Sequence, residues 1–186
     1  MNQKMILAGF GGQGLMLLGK LLCFVEMRNG MHVTYIPSYG AEMRGGTANC
    51  SVILSDDPIA SPMVPTATTV VIMNQPSYEK FKNRVEKNGN LFVNSSLVEV
   101  TNPPEGINIV KVPATEIAAE MGDVRNANMI LLGVMNYILN FAPNEFVWEQ
   151  FPEFLGESKL KLIDSLKAGM LKGEEYAREH FKPAVA

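Results

Sequence analysis

Six residues near the amino terminus, Gly9-Phe10-Gly11-Gly12-Gln13-Gly14, constrain the fold of this chain more than any other stretch, because of what flanks them. Lys4 to Ala8 is a short apolar run, and Leu15 to Arg28 carries apolar residues at most positions, so the segment reads as strand, tight turn and helix. Glycines at G-x-G-x-x-G spacing let such a turn close sharply and let another group approach the backbone. The unpaired N–H groups at the helix start attract phosphate or another anion. The same glycines would equally serve close packing of helix on sheet, and at this point both readings stand.

The rest of the chain continues the alternation. Asn29-Gly30 suits a left-handed helix cap, His32 to Ile36 reads as a second strand stopped by Pro37, and Thr47 to Leu54 as a third with Ala48, Cys50, Val52 and Leu54 on one face. After a proline- and aspartate-rich loop from Asp56 to Pro65, Thr69 to Met73 is a buried strand. Pro76 to Lys87 is an amphipathic helix ended by Asn88-Gly89, and Leu91 to Asn94 is another strand. Asn108 to Val112 is the last strand. Helices are expected over Ala114 to Met121 and Asn126 to Phe141, with Asn126 and Asn128 as cap candidates. A Pro- and Gly-punctuated segment follows, then a helix from Lys159 to about Phe181 in which Leu160, Ile163, Leu166 and Met170 recur at helical spacing. Strands early and helices late predict an α/β fold, Rossmann-like, with a mostly parallel sheet, helices on both faces and a C-terminal helical extension. The expected division is a single domain over residues 1–186, with an α/β core to 142 and a helical extension from 143.

Composition removes several function classes. With 16 Lys+Arg against 19 Asp+Glu, a formal net charge of −3, the chain lacks the basic excess of a nucleic-acid binder. Cys23 and Cys50 are far apart with no C-x-x-C, and only two histidines are present, so neither an iron–sulfur cluster nor a structural zinc site can be assembled from this chain alone. No metal ligands and no catalytic residues are assigned: neither His32 nor His180 stands at a motif spacing from a nucleophile or an acid. Ala127 to Ala142 is interrupted by Asn128, Gly133, Asn136 and Asn140 and reads as a core helix, not a membrane span. The amino terminus lacks the parts of a signal peptide, and the chain is expected to be cytoplasmic. A hydrophobic fraction of 47% hints at a buried interface.

A dinucleotide site would need an acidic residue at the end of the second strand to hold the ribose hydroxyls. That strand ends Tyr35-Ile36-Pro37-Ser38, which weakens the ordinary NAD reading. Immediately afterwards comes a dense loop in which Tyr39, Gly40, Glu42, Arg44, Gly45 and Gly46 bring an aromatic, an acid, a base and three glycines together. Following a strand, it belongs at the carboxyl edge of the sheet, where open α/β sheets bind ligands. Arg44 could meet a phosphate or a partner's carboxylate, or simply pair with Glu42 across a turn.

Gly9 to Gly14, Pro37 to Ser51 with its Ser-Tyr-Gly-Ala-Glu-Met-Arg-Gly-Gly block, Met73-Asn-Gln-Pro76 and Asn128-Met-Ile-Leu-Leu-Gly133, in that order, resemble the gamma subunit of 2-oxoacid:ferredoxin oxidoreductases, over nearly the whole chain. Phe10 before Gly-Gly-Gln-Gly makes it most similar to the 2-oxoglutarate or branched-chain (2-ketoisovalerate) branch. The resemblance implies a multi-subunit enzyme that oxidatively decarboxylates a 2-oxoacid to its acyl-CoA and reduces ferredoxin. It implies alpha, beta and delta partner subunits that carry thiamine diphosphate, magnesium and the iron–sulfur clusters. This chain would then be an accessory domain, inactive alone, that shares in handling coenzyme A through Gly9, Gly11, Gly12, Gln13 and Gly14, with the loop from Tyr39 to Gly46 at an interface or cleft. Isolated, it would expose an apolar patch or pair as a homodimer. Two other readings are a free-standing nucleotide- or flavin-binding module and a purely structural assembly subunit.

Overall fold

The computed structural model describes residues 2–39 and 47–182. Six strands form one sheet: β1 (Asn2–Phe10), β2 (His32–Tyr39), β3 (Thr47–Ser55), β4 (Ala67–Ile72), β5 (Val85–Asn94) and β6 (Asn108–Val112), in the order β2-β3-β1-β4-β5-β6. The helices are α1 (Leu15–Arg28), α2 (Gln75–Phe81), α3 (Ala114–Glu120), α4 (Ala127–Leu139), α5 (Asn144–Leu155) and α6 (Ile163–His180). β1, β4, β5 and β6 pair in parallel, whereas β3 runs antiparallel to both β1 and β2. Five strands therefore share one direction and only β3 is reversed, as a mostly parallel sheet requires. The order on one side of β1 is that of a dinucleotide-binding fold, but on the other side the reversed β3 stands between β1 and β2. The end of β2, where a ribose-binding acid would sit, is thereby one strand too far from the glycine turn.

Two apolar clusters flank the sheet. On one face α1, α3, α4, α5 and α6 bury Leu18, Ile117, Ile130, Phe151 and Met170 against Leu7, Cys50, Val52 and Phe92. On the other, Tyr78 and Phe81 of α2 cover Ile6, Val70 and Leu91. α4 and α6 approach backbone to backbone. A Cβ on Gly133 would fall on the carbonyl oxygen of Met170, and one on Gly173 on that of Ile130. Gly169, Gly173 and Ala177, one turn apart, make the buried small-residue stripe that allows this.

Four sequence expectations are corrected. β2 runs through Pro37 to Tyr39, because an edge strand has a free side on which a missing N–H breaks no ladder. The helix expected over Pro76 to Lys87 stops at Phe81, followed by a 3₁₀ turn, Lys82–Arg84, and β5 begins at Val85. Asn88-Gly89 is thus no helix stop: Asn88, at φ 62°, sits in an irregularity of the β4–β5 ladder and donates its N–H to Gly106 O at 2.7 Å. The segment after Phe141 contains α5, whose Val147 and Phe151, one turn apart, are buried despite Pro152. The last helix begins at Ile163, after a 3₁₀ stretch (Glu157–Leu162) that leaves Leu160 exposed.

Both thiols are buried: Cys23 Sγ donates to Thr34 O at 3.4 Å and Cys50 Sγ to Leu15 O at 3.7 Å. Burial pushes each thiol pKa up to about 12, so the thiolate needed for alkylation is scarce at neutral pH. Ellman's reagent at pH 8 should count no fast thiol in the folded chain and two after denaturation; a fast thiol in the folded state would contradict this packing.

Glu26 of α1 is fully buried, and one carboxyl oxygen has no partner while the other accepts from Asn29 Nδ2 at 3.2 Å. Desolvation raises its pKa above the ordinary carboxylate value, with the Asn29 hydrogen bond opposing. The native chain then holds a proton that the unfolded chain has released, so stability falls as pH rises from the unfolded carboxylate value through the raised one. Glu26→Gln should melt higher than the parent at pH 7, with the advantage shrinking toward pH 4. A parent that melts at or above the variant at pH 7 would contradict the sign.

Candidate functional site

The carboxyl edge gathers three of the four motifs read from the sequence. β1 and β4 are parallel neighbours, yet the helices that follow them leave to opposite faces, α1 to one cluster and α2 to the other. Such a reversal opens a crevice at the strand ends, where open α/β sheets bind ligands. The glycine turn after β1 and Met73-Asn74-Gln75 after β4 form its two lips.

The glycines of the turn divide into two kinds. A Cβ on Gly9 would lie 2.6 Å from Gln13 Oε1 and from Leu15 Cδ1, and one on Gly14 would collide with the Asn128 amide. Those two glycines are explained by packing. Gly11 and Gly12 are exposed, and a Cβ on either would meet nothing within 4 Å. Gly12 has φ +97°, which favours glycine on backbone grounds, but Gly11 lies outside the left-handed region, and among the described residues neither sterics nor conformation accounts for it. Behind them α1 starts at a left-handed Gly14 with no side chain capping it and no acid in its first turn. Among the described residues no side chain compensates the N–H groups and partial positive charge of that turn.

Gln13, read from the sequence as part of the binding turn, is a clamp. Its Nε2 donates to Met73 O at 3.0 Å, while its Oε1 accepts from Phe10 N at 2.6 Å and from Asn74 Nδ2 at 3.4 Å. It ties the turn to the end of β4. Asn74 caps α2 through Ser77 N at 2.8 Å. Asn128 does not cap a helix but donates to Gly14 O at 3.3 Å; Asn126 stands at the N-cap position of α4 but makes no side-chain cap bond, donating instead to Ser165 Oγ at 2.7 Å, and Asp123 caps the preceding 3₁₀ turn, Val124–Asn126, by accepting from Arg125 N at 3.0 Å. These clamping roles carry no sequence signal beyond the bare presence of Asn and Gln next to glycines.

Tyr39 closes β2 opposite Ala48, and Thr47 opens β3 opposite Phe10, so the second loop leaves and rejoins the sheet on this same edge. Gly40, Glu42, Arg44, Gly45 and Gly46 lie outside the described residues. Among the described residues, no group of three or more His, Cys, Asp or Glu is arranged to hold a metal ion. No helix among them is long and apolar enough to cross a membrane.

Fold and edge together define the class: an α/β domain with a glycine turn at the switch point of a mostly parallel sheet, the turn tied to the end of β4 by a glutamine. The chain belongs to the pyruvate ferredoxin/flavodoxin oxidoreductase family, whose sequence model matches residues 4–176. It is 34% identical over 176 residues to ketoisovalerate oxidoreductase subunit VorA of Methanothermobacter thermautotrophicus, covering 95% of this chain and 36% of that one. To 2-oxoglutarate synthase subunit KorC of Methanocaldococcus jannaschii it is 32% identical over 148 residues, covering 78% and 79%. It thus spans about a third of the ketoisovalerate relative and most of the 2-oxoglutarate one. Among solved structures, the gamma subunit of keto/oxoacid ferredoxin oxidoreductase from Geobacter sulfurreducens superposes with a TM-score of 0.79 at 23% identity, covering 95% of this chain and 98% of that one. The 2-oxoglutarate:ferredoxin oxidoreductase from Magnetococcus marinus, with 2-oxoglutarate, coenzyme A and succinyl-CoA bound, superposes with a TM-score of 0.87 at 23% identity, covering all of this chain and 33% of that one. These superpositions bear out the α/β fold, and the family match bears out the resemblance carried by the motifs.

Proposed function

We propose that the chain is the gamma unit of a 2-oxoacid:ferredoxin oxidoreductase of the 2-oxoglutarate or 2-ketoisovalerate type, inactive alone, and that its glycine turn receives a phosphate of coenzyme A. The reaction converts a 2-oxoacid and coenzyme A to the acyl-CoA and carbon dioxide, the electrons passing to ferredoxin. The observation that carries the coenzyme A assignment is Gly11: an exposed glycine that no contact among the described residues explains, beside Gly12 and an uncapped helix start. Those N–H groups would hold an anionic oxygen, and the Gln13 clamp keeps the turn rigid so that little ordering is needed on binding.

The residues present do not suit an iron–sulfur cluster, since the two thiols are both buried and bonded to backbone carbonyls. The clusters, thiamine diphosphate and magnesium are accordingly assigned to alpha, beta and delta partner subunits in the cytoplasm. The loop from Tyr39 to Gly46, which starts and ends on the edge of the glycine turn, is assigned to the cleft between this chain and those partners. A free-standing dinucleotide module is disfavoured by the reversed β3 that separates β2 from β1.

Co-expression of the tagged chain with the remaining oxidoreductase subunits from the same genome tests this. A stoichiometric complex is expected; a chain that purifies alone beside a complete, active enzyme would overturn the reading.

A further inference from the structure

We infer that Asn128 is a positioning residue: its amide, reaching from the first turn of α4, holds the glycine turn in place for a coenzyme A phosphate, an inference that rests on the coenzyme A reading of that turn. The motif from Asn128 to Gly133 makes two contacts of different kinds. Gly133 lets α4 lie backbone to backbone on α6, which sets where α4 stands against the sheet. Asn128, between one and two turns earlier on the same helix, donates its Nδ2 to Gly14 O at 3.3 Å.

Neither helix requires that bond. Gly14 O already accepts Leu18 N at 2.9 Å and so closes the first turn of α1; the carbonyl would have a partner without Asn128. Nor does the amide serve α4, because the N-cap position belongs to Asn126 and Asn128 stands inside the helix. Asparagine is a poor helix former, and at 3% exposure its amide has also lost most of its water. A leucine of nearly the same shape would fill the site at lower cost. What leucine could not do is grip Gly14, on which the Asn128 amide is packed so closely that a Cβ there would collide with it.

The grip completes a hold that Gln13 begins. Gln13 Nε2 donates to Met73 O at 3.0 Å and anchors the turn to the end of β4, while Asn128 anchors the next residue to α4. A single anchor leaves a glycine-rich backbone free to pivot about it, and Gly11 and Gly12 have no side chains with which to add another. Two anchors on different elements remove that freedom. Backbone N–H groups that receive an anion bind it more tightly when they are placed beforehand, since ordering them on binding costs affinity. Asn128 acts through Gly14 and not on the ligand, so its loss should appear in coenzyme A affinity and not in the chemical step.

Two variants of nearly unchanged shape test this in the assembled enzyme. Asn128→Leu removes the donor, and Asn128→Asp turns an oxygen toward the Gly14 carbonyl. The KM for coenzyme A should rise ~3-fold or more in Asn128→Leu, the ratio set by the net worth of one hydrogen bond, and ~10-fold or more in Asn128→Asp, where two acceptors face each other. Both kcat and the KM for the 2-oxoacid should stay at the parent values, and the isolated Asn128→Leu chain should melt no lower than the parent. An unchanged KM for coenzyme A in both variants, with Gly11→Asp raising it, would overturn this inference and leave the coenzyme A reading intact. If Gly11→Asp leaves that KM unchanged as well, both fall. A lowered melting temperature in Asn128→Leu, with kcat and both KM values worsened alike, would make Asn128 a packing residue and overturn the inference too.

Discussion

Gly173→Ala is expected to lower the melting temperature of this chain by ~10 °C or more, a large cost for one added methyl group. Alanine is the better helix former, and on an exposed helix the change would stabilise by ~1 kcal/mol. Here the new Cβ would collide with the Ile130 carbonyl oxygen, and its other near neighbours are the carbonyl carbon and Cα of the same residue. Backbone atoms cannot rotate aside, so α6 must lift from α4. Lifting it also pulls Met170 and Ala177 from the core and disturbs the Glu174 carboxylate that Asn144 and Arg178 hold. Overpacking of this kind costs ~3 kcal/mol or more, which exceeds the gain in propensity. Gly133→Ala should behave alike from the other side of the contact, since its Cβ meets Met170 O. Thermal unfolding followed by circular dichroism checks both; a midpoint within ~2 °C of the parent, less than the shift from 1 kcal/mol, would mean that α4 and α6 do not touch as described.

Gly11 gives the second large effect, on function and not on folding. Gly11→Ala adds a methyl group where nothing among the described residues lies within 4 Å, and should leave stability close to the parent while weakening coenzyme A binding by less than a charge would, because the methyl group stands where a phosphate would approach the backbone. Gly11→Asp places a carboxylate before an uncapped helix start, where it is electrostatically welcome and repels an incoming phosphate. In the assembled enzyme it should raise the KM for coenzyme A ~10-fold or more, a change of ~1.4 kcal/mol, with the melting temperature unchanged or slightly raised. An unaltered KM for coenzyme A would make the turn a packing element alone.

The difference between those two glycines marks where the sequence stops being legible. α1 ends where the apolar run and Asn29-Gly30 say it should, and β6 matches Asn108 to Val112 residue for residue, because local pattern and tertiary packing agree there. The same grammar failed at Asn88-Gly89, since a left-handed residue serves a strand irregularity as well as a helix end and only the partner strand decides between them. It failed again at α5, where Pro143, Pro152 and Gly156 obscured the spacing of Val147 and Phe151. The antiparallel insertion of β3 is a property of strand order, which no local signal encodes. At the site, the letters of the glycine motif could not separate Gly9 and Gly14, filled from within, from Gly11 and Gly12, which face open space. Nor could they reveal that Gln13 bridges to Met73, a contact made across sixty residues of chain.

Reconstitution tests the gamma-unit assignment most directly. The oxidoreductase is prepared from its other subunits without this chain, and coenzyme A-dependent ferredoxin reduction is measured with 2-oxoglutarate and with 2-ketoisovalerate before and after the purified chain is added. The enzyme should be inactive without the chain and recover with one of the two substrates when it is supplied in stoichiometric amount, the chain alone reducing nothing. Full activity in its absence, or oxidation of either 2-oxoacid by the isolated chain, would contradict the assignment.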